Sequence, residues 1–511
     1  MVIGEILLRN ATNNPDNLAV VCKSTDTSRT YGELNTIVNR FTHALTDIGV
    51  SKGDRVAIVQ HNCLQYIETI FAVMKIGAVV VPLDYRLVAR ELTYLLNDSG
   101  ANTLLIGANY LNLANSIRSQ LSTVKNFLCI GQGAEDMQSY DELLSSYPST
   151  EPDTYVDEND LAMLLYTSGT TGLPKAATTT QRNLVASMMN MMEPLSWQPD
   201  DVTLHTSPFS HVAATWPLLD NLYIGGTNVV VERFDPKVVL EAIQENRVTS
   251  WNSIPTMISR LLEYPDLTNY DLSSLRWVVY GGAPMPIEVL RRAILNFGNI
   301  FAQVYGLTEA HIVTFLPIED HITEGAKDKV RKISSCGKAV GCNQVRVVNG
   351  QGKDVLPDET GEIIMRGDNV IRGYWKLPEE TASTIKGGWF YTGDLATLDE
   401  EGYIYIIDRK KELIVSGGEN ISPKEVEGVI YGHPSVFEVA VIGVPDEKWG
   451  EAVKAIVVLR VGKTATEEEI IAFCKQNLAR FKVPKSITFT DSLPKTASGK
   501  IFKGGLKSKQ N

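Results

Sequence analysis

Residues 166–175 read Y-T-S-G-T-T-G-L-P-K and directly follow the apolar run at residues 161–165, which is typical of a buried strand. Glycine lets the backbone turn tightly and bring its N–H groups close to an anion, hydroxyl groups donate further hydrogen bonds, and a lysine adds positive charge. We therefore expect this segment to bind a chain of phosphates. Its candidate ligand-binding residues are Thr167, Ser168, Gly169, Thr170, Thr171, Gly172 and Lys175.

The spacing of this segment differs from that of the P-loop, whose pattern is G-x-x-x-x-G-K-[ST]. Here Pro174 precedes Lys175, and a helix cannot run undisturbed through a proline. A P-loop NTPase is therefore disfavoured. A polar surface turn after a strand is the simpler alternative for an arbitrary cluster of glycine, serine and threonine.

The composition is that of a globular protein, with 511 residues, 44% hydrophobic and 21% charged, which is long enough for two or more domains. The net charge of -12 and the lack of a long basic block argue against a nucleic-acid surface. The six cysteines are scattered, with no C-x-x-C pair. We expect no signal peptide, no transmembrane segment and a cytoplasmic location.

Alternation of apolar strands with amphipathic helices over about residues 1–330 predicts parallel sheets covered by helices, arranged as two similar α/β layers. Short alternating strands separated by turns predict a β-rich subdomain over about residues 331–408. We expect these parts to form a large N-terminal domain, residues 1–408. Residues 409–511 then form a small α+β domain of the common size, about a hundred residues.

Three further segments carry groups that suit a nucleotide. A strand predicted at 276–280 runs into G-G-A-P at 281–284, and paired glycines at a strand end let a flat ring lie against the backbone. Glu309, the last residue of Y-G-L-T-E, is a carboxylate suited to Mg²⁺ beside phosphate. Asp394, in Y-T-G-D, can accept hydrogen bonds from the two vicinal hydroxyls of a ribose. Each segment could equally be an ordinary turn.

The charge run D-R-K-K-E at residues 408–412 is followed by paired glycines, so a flexible boundary is expected there. The next unit opens with S-P-K-E, in which Ser422 is the predicted N-cap and Glu425 its reciprocal partner. Near the end, P-K-T-A-S-G-K presents Lys500 from a turn, where its ammonium can approach a carboxylate and a phosphate oxygen. The simpler alternative is one more lysine in a basic tail.

Taken together, five segments resemble, in order and approximate spacing, those of the adenylate-forming superfamily. The superfamily includes acyl-CoA synthetases, peptide-synthetase adenylation domains and beetle luciferases, and the likeness covers almost the whole chain. The wording around Gly417 and Gly418 is most similar to the acid–CoA ligase (AMP-forming) branch. One departure is Gln181, where many relatives have histidine, and we expect it to change only local packing. The five segments are residues 166–175, 305–309, 391–394, 408–412 and 494–500.

The resemblance implies an enzyme, an acyl-CoA synthetase that uses ATP, Mg²⁺ and coenzyme A. A carboxylate attacks the α-phosphorus and releases pyrophosphate, and the acyl group of the adenylate then passes to the CoA thiol with release of AMP. Catalysis of the first step is largely positioning and charge neutralisation. The C-terminal domain is implied to be mobile, with Lys411 as the hinge candidate and Gly417 and Gly418 at the CoA tunnel.

The resemblance also assigns roles to single residues. The implied catalytic residues are Lys500, Thr308, Glu309 and His211, with Lys500 bridging the carboxylate and the α-phosphate and Glu309 as the metal ligand. The remaining implied nucleotide-binding residues are Gly282, Ala283, Pro284, Tyr305, Gly306, Asp394 and Arg409. The implied acyl pocket contains His211, Trp216, Tyr280 and Gly281.

The pocket segments show no lysine or arginine for a second carboxylate, so we expect an apolar fatty, alicyclic or aromatic monocarboxylate. The implied partners are this acid, ATP and CoA, with no nucleic acid, and a homodimer is left open. Two alternatives stand beside this interpretation. The enzyme could load a carrier protein or oxidise its adenylate, or the chain could be a catalytically silent paralogue that binds such ligands.

Overall fold

The fold is described from a computed structural model, which defines residues 1–132, 136–167, 173–495 and 501–507. The α-helices are α1 (Ile3–Asn13), α2 (Tyr31–Asp47), α3 (Leu64–Ile76), α4 (Ala89–Ser99), α5 (Leu111–Ile117), α6 (Tyr140–Ser145), α7 (Gln181–Leu195), α8 (Val212–Ile224), α9 (Pro236–Asn246), α10 (Pro255–Leu262), α11 (Ile287–Phe297), α12 (Lys327–Lys332), α13 (Pro378–Thr384), α14 (Pro423–Tyr431), α15 (Glu467–Asn477) and α16 (Lys503–Lys507).

The strands are β1 (Leu18–Cys22), β2 (Thr27–Thr30), β3 (Arg55–Val59), β4 (Val79–Leu83), β5 (Thr103–Gly107), β6 (Asn126–Ile130), β7 (Gln138–Ser139), β8 (Leu161–Thr167), β9 (Lys175–Thr180), β10 (Val202–His205), β11 (Thr227–Val230), β12 (Ser250–Ser253), β13 (Trp277–Gly281), β14 (Phe301–Leu307), β15 (His311–Leu316), β16 (Lys338–Ala339), β17 (Gln344–Val348), β18 (Gly361–Arg366), β19 (Ile385–Lys386), β20 (Trp389–Leu398), β21 (Ile404–Arg409), β22 (Ile414–Ser416), β23 (Glu419–Ile421), β24 (Val436–Asp446), β25 (Gly450–Leu459) and β26 (Ser486–Phe489).

Two large sheets form the first part of the chain, as the sequence predicts. One has seven strands in the order β7-β6-β5-β3-β4-β8-β9, parallel except for the final pair. The other has nine strands in the order β16-β15-β14-β13-β12-β10-β11-β1-β2, with parallel pairs from β14 to β1 and antiparallel pairs at both ends. The apolar run at 161–165 is part of β8, and the predicted phosphate-binding segment follows it.

The largest hydrophobic core joins the two sheets. It contains Val56 and Ile58 of β3 together with Val20 of β1 and Val230 of β11. Helix α3 lies within this core, with nearly every residue buried, because most of its residues are apolar and its two buried charged side chains have hydrogen-bonded partners. The carboxyl ends of the parallel strands, where ligands bind in such sheets, are therefore held by one shared core.

Two smaller sheets complete the chain. The antiparallel sheet β17-β18-β20-β19, with β21 on β20, is the β-rich subdomain that the sequence predicts. The last sheet has the order β23-β22-β25-β24, with β26 parallel to β25, and α14 and α15 cover one face. These observations confirm the predicted fold class. The strand β21 ends at Arg409, one residue beyond the domain boundary that the sequence suggests.

The start of α14 follows its sequence signal in part. Pro423 is the first helical residue, and Ser422 Oγ accepts a hydrogen bond from the Glu425 N–H at 3.3 Å. Glu425 is not the reciprocal cap partner, because its carboxylate pairs with the Lys482 ammonium at 2.6 Å. Ser422 Oγ donates instead to Asp408 Oδ2 at 2.8 Å.

Membrane crossing by a helix finds no support here. Among the residues that the structure describes, none of the helices combines the length and apolar character that a bilayer span requires.

Candidate functional site

Three of the residues predicted to bind nucleotide meet where the nine-stranded sheet contacts the β-rich subdomain. Asp394 and Arg409 are register partners on β20 and β21, and Arg409 Nε donates to Asp394 Oδ1 at 3.0 Å. Tyr305, on β14, donates its hydroxyl to Asp394 Oδ2 at 2.6 Å. Asp394 is buried. Both of its oxygens are therefore fixed in direction by neighbours from two different sheets.

Glu309 lies just beyond the end of β14 and has a partner that sequence reasoning missed. The Tyr374 hydroxyl donates to Glu309 Oε1 at 2.9 Å. Burial raises the pKa of the Glu309 carboxyl above its ordinary value, and the hydrogen bond from Tyr374 acts in the opposite direction. No local sequence signal marks Tyr374, since it follows β18 in an irregular segment.

Lys175 is the first residue of β9, and its ammonium pairs with the Glu380 carboxylate of α13. The same ammonium lies 5.9 Å from the centre of the Tyr374 ring. Thr167, the last residue of β8, is the register partner of Lys175 and donates Oγ1 to its carbonyl at 3.4 Å. The two described ends of the predicted phosphate-binding segment are thus held side by side.

Several predicted site residues lie outside the described residues. They are Ser168, Gly169, Thr170, Thr171, Gly172 and Lys500. The described residues on either side of the last segment contact each other, with a β-bridge between Lys495 and Ile501 and a hydrogen bond from the Phe502 N–H to the Pro494 carbonyl at 2.8 Å.

The glycines at the ends of β13 and β14 are required by space. A Cβ on Gly281 would lie 2.6 Å from the Val304 carbonyl oxygen, and one on Gly306 would lie 1.8 Å from that of His311. Gly282 follows with φ +76°, a left-handed conformation, and leads into the half-buried Ala283 and the exposed Pro284. Thr308 stands between Gly306 and Glu309 in the connection to β15. Gly281 and Gly306 are therefore required by close packing against the neighbouring backbone.

His211 lies at the N-terminus of α8 and contacts a buried carboxylate. Its Nε2 is 3.6 Å from Asp84 Oδ2, and Arg86 donates to both oxygens of Asp84, each at 2.9 Å. Burial alone would raise the pKa of Asp84, but His211 and Arg86 hold it well below its usual range. Asp84 follows β4, so this contact joins the seven-stranded sheet to the helix that covers the other sheet.

The structure does not bring Trp216 and Tyr280 together. Trp216, on α8, packs in a core that contains Trp277 and Val279 of β13. Tyr280 packs in the core on the other face with Val278, and its hydroxyl lies 3.0 Å from His321 Nε2. Successive side chains of a strand point to opposite faces, so Trp277 and Tyr280 must face opposite ways.

The segment that connects to the last sheet is fixed at Asp408. This carboxylate is fully buried, and it accepts hydrogen bonds from Ser422 Oγ at 2.8 Å and the Lys424 N–H at 3.2 Å. Lys411 is exposed in the turn after β21. Beyond it, the hairpin of β22 and β23 turns at Gly417 and Gly418, which have φ of +62° and +88°.

The two glycines of this hairpin differ in the space around them. A Cβ on Gly417 would lie 2.7 Å from the Trp449 ring, whereas none of the described residues has an atom within 4 Å of one on Gly418. At Gly418, glycine is therefore favoured by the positive φ of the backbone and not by a lack of space in this structure.

Gln181, the departure noted in the sequence, is fully buried at the start of α7. Its Oε1 accepts a hydrogen bond from the Ile3 N–H at 3.0 Å, which ties α7 to the first helix. The residue therefore takes part in local packing, as the sequence suggests.

A metal ion at Glu309 would need ligands from its substrate. Within the described ranges, no group of three or more histidine, cysteine, aspartate or glutamate side chains is arranged to hold a metal. Mg²⁺ commonly binds through one or two carboxylates and the oxygens of nucleotide phosphates. A single partly buried carboxylate near the start of β9 fits that pattern.

Comparison with known proteins gives consistent results. The sequence model of the family described as AMP-binding enzyme matches residues 7–375, and that of the AMP-binding enzyme C-terminal domain matches residues 425–500. The chain is 39% identical to a feruloyl-CoA synthase of Amycolatopsis sp over 506 residues, 99% of this chain and 98% of the relative. It is 35% identical to a long-chain-fatty-acid–CoA ligase of Mycobacterium tuberculosis, with 99% and 98% covered. The crystal structure of ATP-bound MatB from Rhodopseudomonas palustris is similar with a TM-score of 0.89 and 30% identity, covering 100% of this chain and 99% of that one.

Proposed function

Because the chain belongs to the AMP-binding enzyme family, in its acid–CoA ligase branch, we propose how its residues divide the two half-reactions of an AMP-forming acyl-CoA synthetase. The enzyme uses ATP, Mg²⁺ and CoA to convert a carboxylate into an acyl-adenylate and then into a CoA thioester. One observation carries the proposal for the site. Tyr305 and Arg409, from two different sheets, both donate to the buried Asp394 carboxylate, and Glu309 follows Tyr305 closely in the chain.

Asp394 is proposed to bind the ribose of ATP, with Arg409 holding the carboxylate in place. Gly282, Ala283 and Pro284 flank the adenine directly after the end of β13 at Gly281, and Tyr305 and Gly306 lie on the neighbouring strand β14. Thr167, Ser168, Gly169, Thr170, Thr171, Gly172 and Lys175 bind the β- and γ-phosphates, and Thr308 contacts the α-phosphate. Glu309 would hold Mg²⁺, which when bound neutralises phosphate charge.

In the first half-reaction, the substrate carboxylate oxygen attacks the α-phosphorus, and the bond to the pyrophosphate oxygen breaks. Lys500 is proposed to contact both the carboxylate and an α-phosphate oxygen, so that two negative groups can approach each other. In the second half-reaction, the CoA sulfur attacks the acyl carbonyl and AMP leaves. The C-terminal domain then turns about Lys411, and Gly417 and Gly418 border the tunnel for the pantetheine arm.

The acyl pocket is proposed on the Trp216 face of the nine-stranded sheet. His211 lies at its mouth, with its Nε2 3.6 Å from Asp84 Oδ2, and Gly281 borders the pocket at the end of β13. The Tyr280 side chain packs in the opposite core, so Tyr280 borders the proposed pocket only through its backbone atoms. The substrate is an apolar fatty or aromatic acid, as the names of the relatives suggest, and an alicyclic acid fits the same pocket.

The experiment that tests this function measures AMP and pyrophosphate release with ATP, Mg²⁺ and CoA across fatty, aromatic, alicyclic and dicarboxylic acids. We expect AMP only with monocarboxylates and a thioester with free CoA. Higher kcat/KM with a dicarboxylate would contradict the proposed substrate class. A preference for a phosphopantetheinylated carrier protein over CoA would favour the carrier-loading alternative, and ATP binding without AMP release would favour a silent paralogue.

Domain division, location and assembly are further proposals. We place the boundary between the N-terminal domain and the C-terminal domain near residue 408, supported by the end of β21 at Arg409.

A cytoplasmic location is supported by the six cysteines, all of which are free thiols. A homodimer is proposed as the assembly state, and light scattering should then give twice the chain mass of 56.3 kDa.

Glu380→Gln is expected to tighten ATP binding. The Glu380 carboxylate pairs with the Lys175 ammonium, which the proposal assigns to phosphate, so ATP must compete with it. Both side chains are partly exposed, and such pairs contribute about 1 kcal/mol or less, so the Kd for ATP should fall about two- to fivefold. Calorimetric titration with ATP measures this.

The matched control is Glu379→Gln, which removes the same charge from the exposed neighbouring position of α13. An equal effect of both variants would attribute the change to net charge alone, and no effect of either would contradict competition at Lys175.

A further inference from the structure

Residues 369–381, here named the strap, connect the two halves of the proposed phosphate site. On one side the strap pairs with β9, the strand that begins at Lys175. The Thr178 N–H and Oγ1 both donate to the Gly373 carbonyl, at 3.0 and 2.7 Å, and the Trp375 N–H donates to the Ala176 carbonyl at 2.9 Å. The strap is thus fixed to the seven-stranded sheet next to the phosphate-binding segment.

On its other side the strap is fixed to the nine-stranded sheet at Glu309. The Ile371 N–H donates to the Glu309 carbonyl at 2.9 Å, and the fully buried Asn369 donates Nδ2 to the Ala310 carbonyl at 2.6 Å. Backbone bonds to consecutive residues fix the position of the Glu309 Cα. They leave the torsions of its side chain undetermined.

Tyr374, in the middle of the strap, restricts the Glu309 side-chain torsions that those bonds leave undetermined. Its hydroxyl donates to Glu309 Oε1 at 2.9 Å, and its own backbone N–H donates to Thr381 Oγ1 at 2.9 Å. Gly373 beside it is closely packed, since a Cβ there would lie 2.5 Å from Thr381 Cγ2. The backbone that carries the tyrosine ring is therefore closely packed, and the Tyr374 hydroxyl fixes the direction of one Glu309 carboxylate oxygen.

We propose that Tyr374 is a positioning residue that orients the Glu309 carboxylate toward Mg²⁺, an inference that rests on the proposed role of Glu309 in the function above. Mg²⁺ demands near-ideal octahedral geometry, so a ligand free to rotate binds it poorly. Partners that orient a metal ligand commonly change metal affinity about 10- to 100-fold when removed. The strap also places this partner on the same segment that contacts β9, so the metal ligand and the strand that begins at Lys175 are held by one element.

The test is ATP binding by Tyr374→Phe, measured by calorimetry on the full chain without acid or CoA, first in EDTA and then over a series of Mg²⁺ concentrations. We expect the Kd for ATP in EDTA to equal that of the wild type. We expect the Mg²⁺-dependent gain in ATP affinity to fall about tenfold or more, the effect typical of removing a group that orients a metal ligand. No catalytic turnover enters this measurement.

The matched control is Tyr403→Phe, which removes another hydroxyl that donates to a carboxylate, that of Asp320 at 2.6 Å. It should bind ATP like the wild type at every Mg²⁺ concentration, and comparison of the two unfolding midpoints separates a change in stability from a change at the site. An unchanged Mg²⁺ dependence in Tyr374→Phe would overturn the inference, as would an equal loss of affinity with and without Mg²⁺.

Glu309→Gln distinguishes failure of the inference from failure of the proposed function. If this variant loses the Mg²⁺ dependence and Tyr374→Phe keeps it, Glu309 binds the metal and Tyr374 does not orient it. If Glu309→Gln keeps the full Mg²⁺ dependence, the proposed role of Glu309 is wrong, and the inference about Tyr374 is overturned with it.

Discussion

Lys500→Ala should lower the rate of acyl-adenylate formation about 100- to 1,000-fold, the loss typical when one donor aimed at developing charge is removed. The residue lies outside the described part of the chain, so this expectation comes from the motif P-K-T-A-S-G-K. The proposal gives Lys500 a role in the first half-reaction alone. Conversion of preformed acyl-adenylate and CoA to thioester should therefore proceed at nearly the wild-type rate.

The measurement is pyrophosphate release in a single turnover, beside thioester formation from supplied adenylate. Lys495→Ala is the control, since Lys495 belongs to the same motif but pairs with Glu438 at 2.6 Å. Equal activity of the two variants would support the simpler alternative of a tail lysine. An equal loss in both half-reactions would contradict the division of labour.

Asp394→Ala should weaken ATP binding about 100-fold and slow both half-reactions, because ATP and the acyl-adenylate share the ribose. Two hydrogen bonds to a charged group contribute about 1.5–3 kcal/mol each, enough for this loss. The substitution also removes the acceptor of the Tyr305 hydroxyl and the partner of Arg409. Some loss of stability should accompany it, and thermal unfolding measures that part.

Deoxynucleotides identify the ribose contact directly. The wild type should bind 2′-deoxy-ATP and 3′-deoxy-ATP more weakly than ATP, and Asp394→Ala should bind all three with similar Kd. Asp354→Ala, which removes a surface partner of Arg346 in the same subdomain, should discriminate like the wild type. Full discrimination by Asp394→Ala would mean that another group binds the ribose hydroxyls.

Local patterns predicted much of the fold. The run at 161–165 became β8, and the strand predicted at 276–280 is β13, displaced by one residue. The order of the strands could not be read in this way. β1 and β2, near the start of the chain, complete the far edge of a sheet whose other strands begin after residue 200. Such pairing depends on the shared core, which no local pattern encodes.

For the site as well, residues in local motifs could be predicted and residues that act across the fold could not. Tyr305, Asp394 and Arg409 could be predicted because each stands in a recognisable motif, and the structure brings them together. Asp84 and Tyr374 could not, since each acts on a residue far away in sequence and stands in an unremarkable segment.

For the proposed acyl pocket, one structural signal was already present in the sequence. Trp277 and Tyr280 are an odd number of residues apart on one strand, so the pleat places them on opposite faces. Trp216 packs with the first of them, which separates it from Tyr280. Resemblance to a family indicates which positions lie near a pocket. The alternation of side chains along a strand determines which of them can reach it.

The pairing of the strap with β9 also affects the solubility of the chain. β9 is the last strand of its sheet, and an uncovered edge strand presents backbone donors and acceptors that can pair with another molecule. The strap occupies two of these groups, the Ala176 carbonyl and the Thr178 N–H. The strap therefore also covers part of an edge that could serve as a template for aggregation. Damage to the strap should reduce the yield of soluble protein and, under the proposed function, the affinity for ATP.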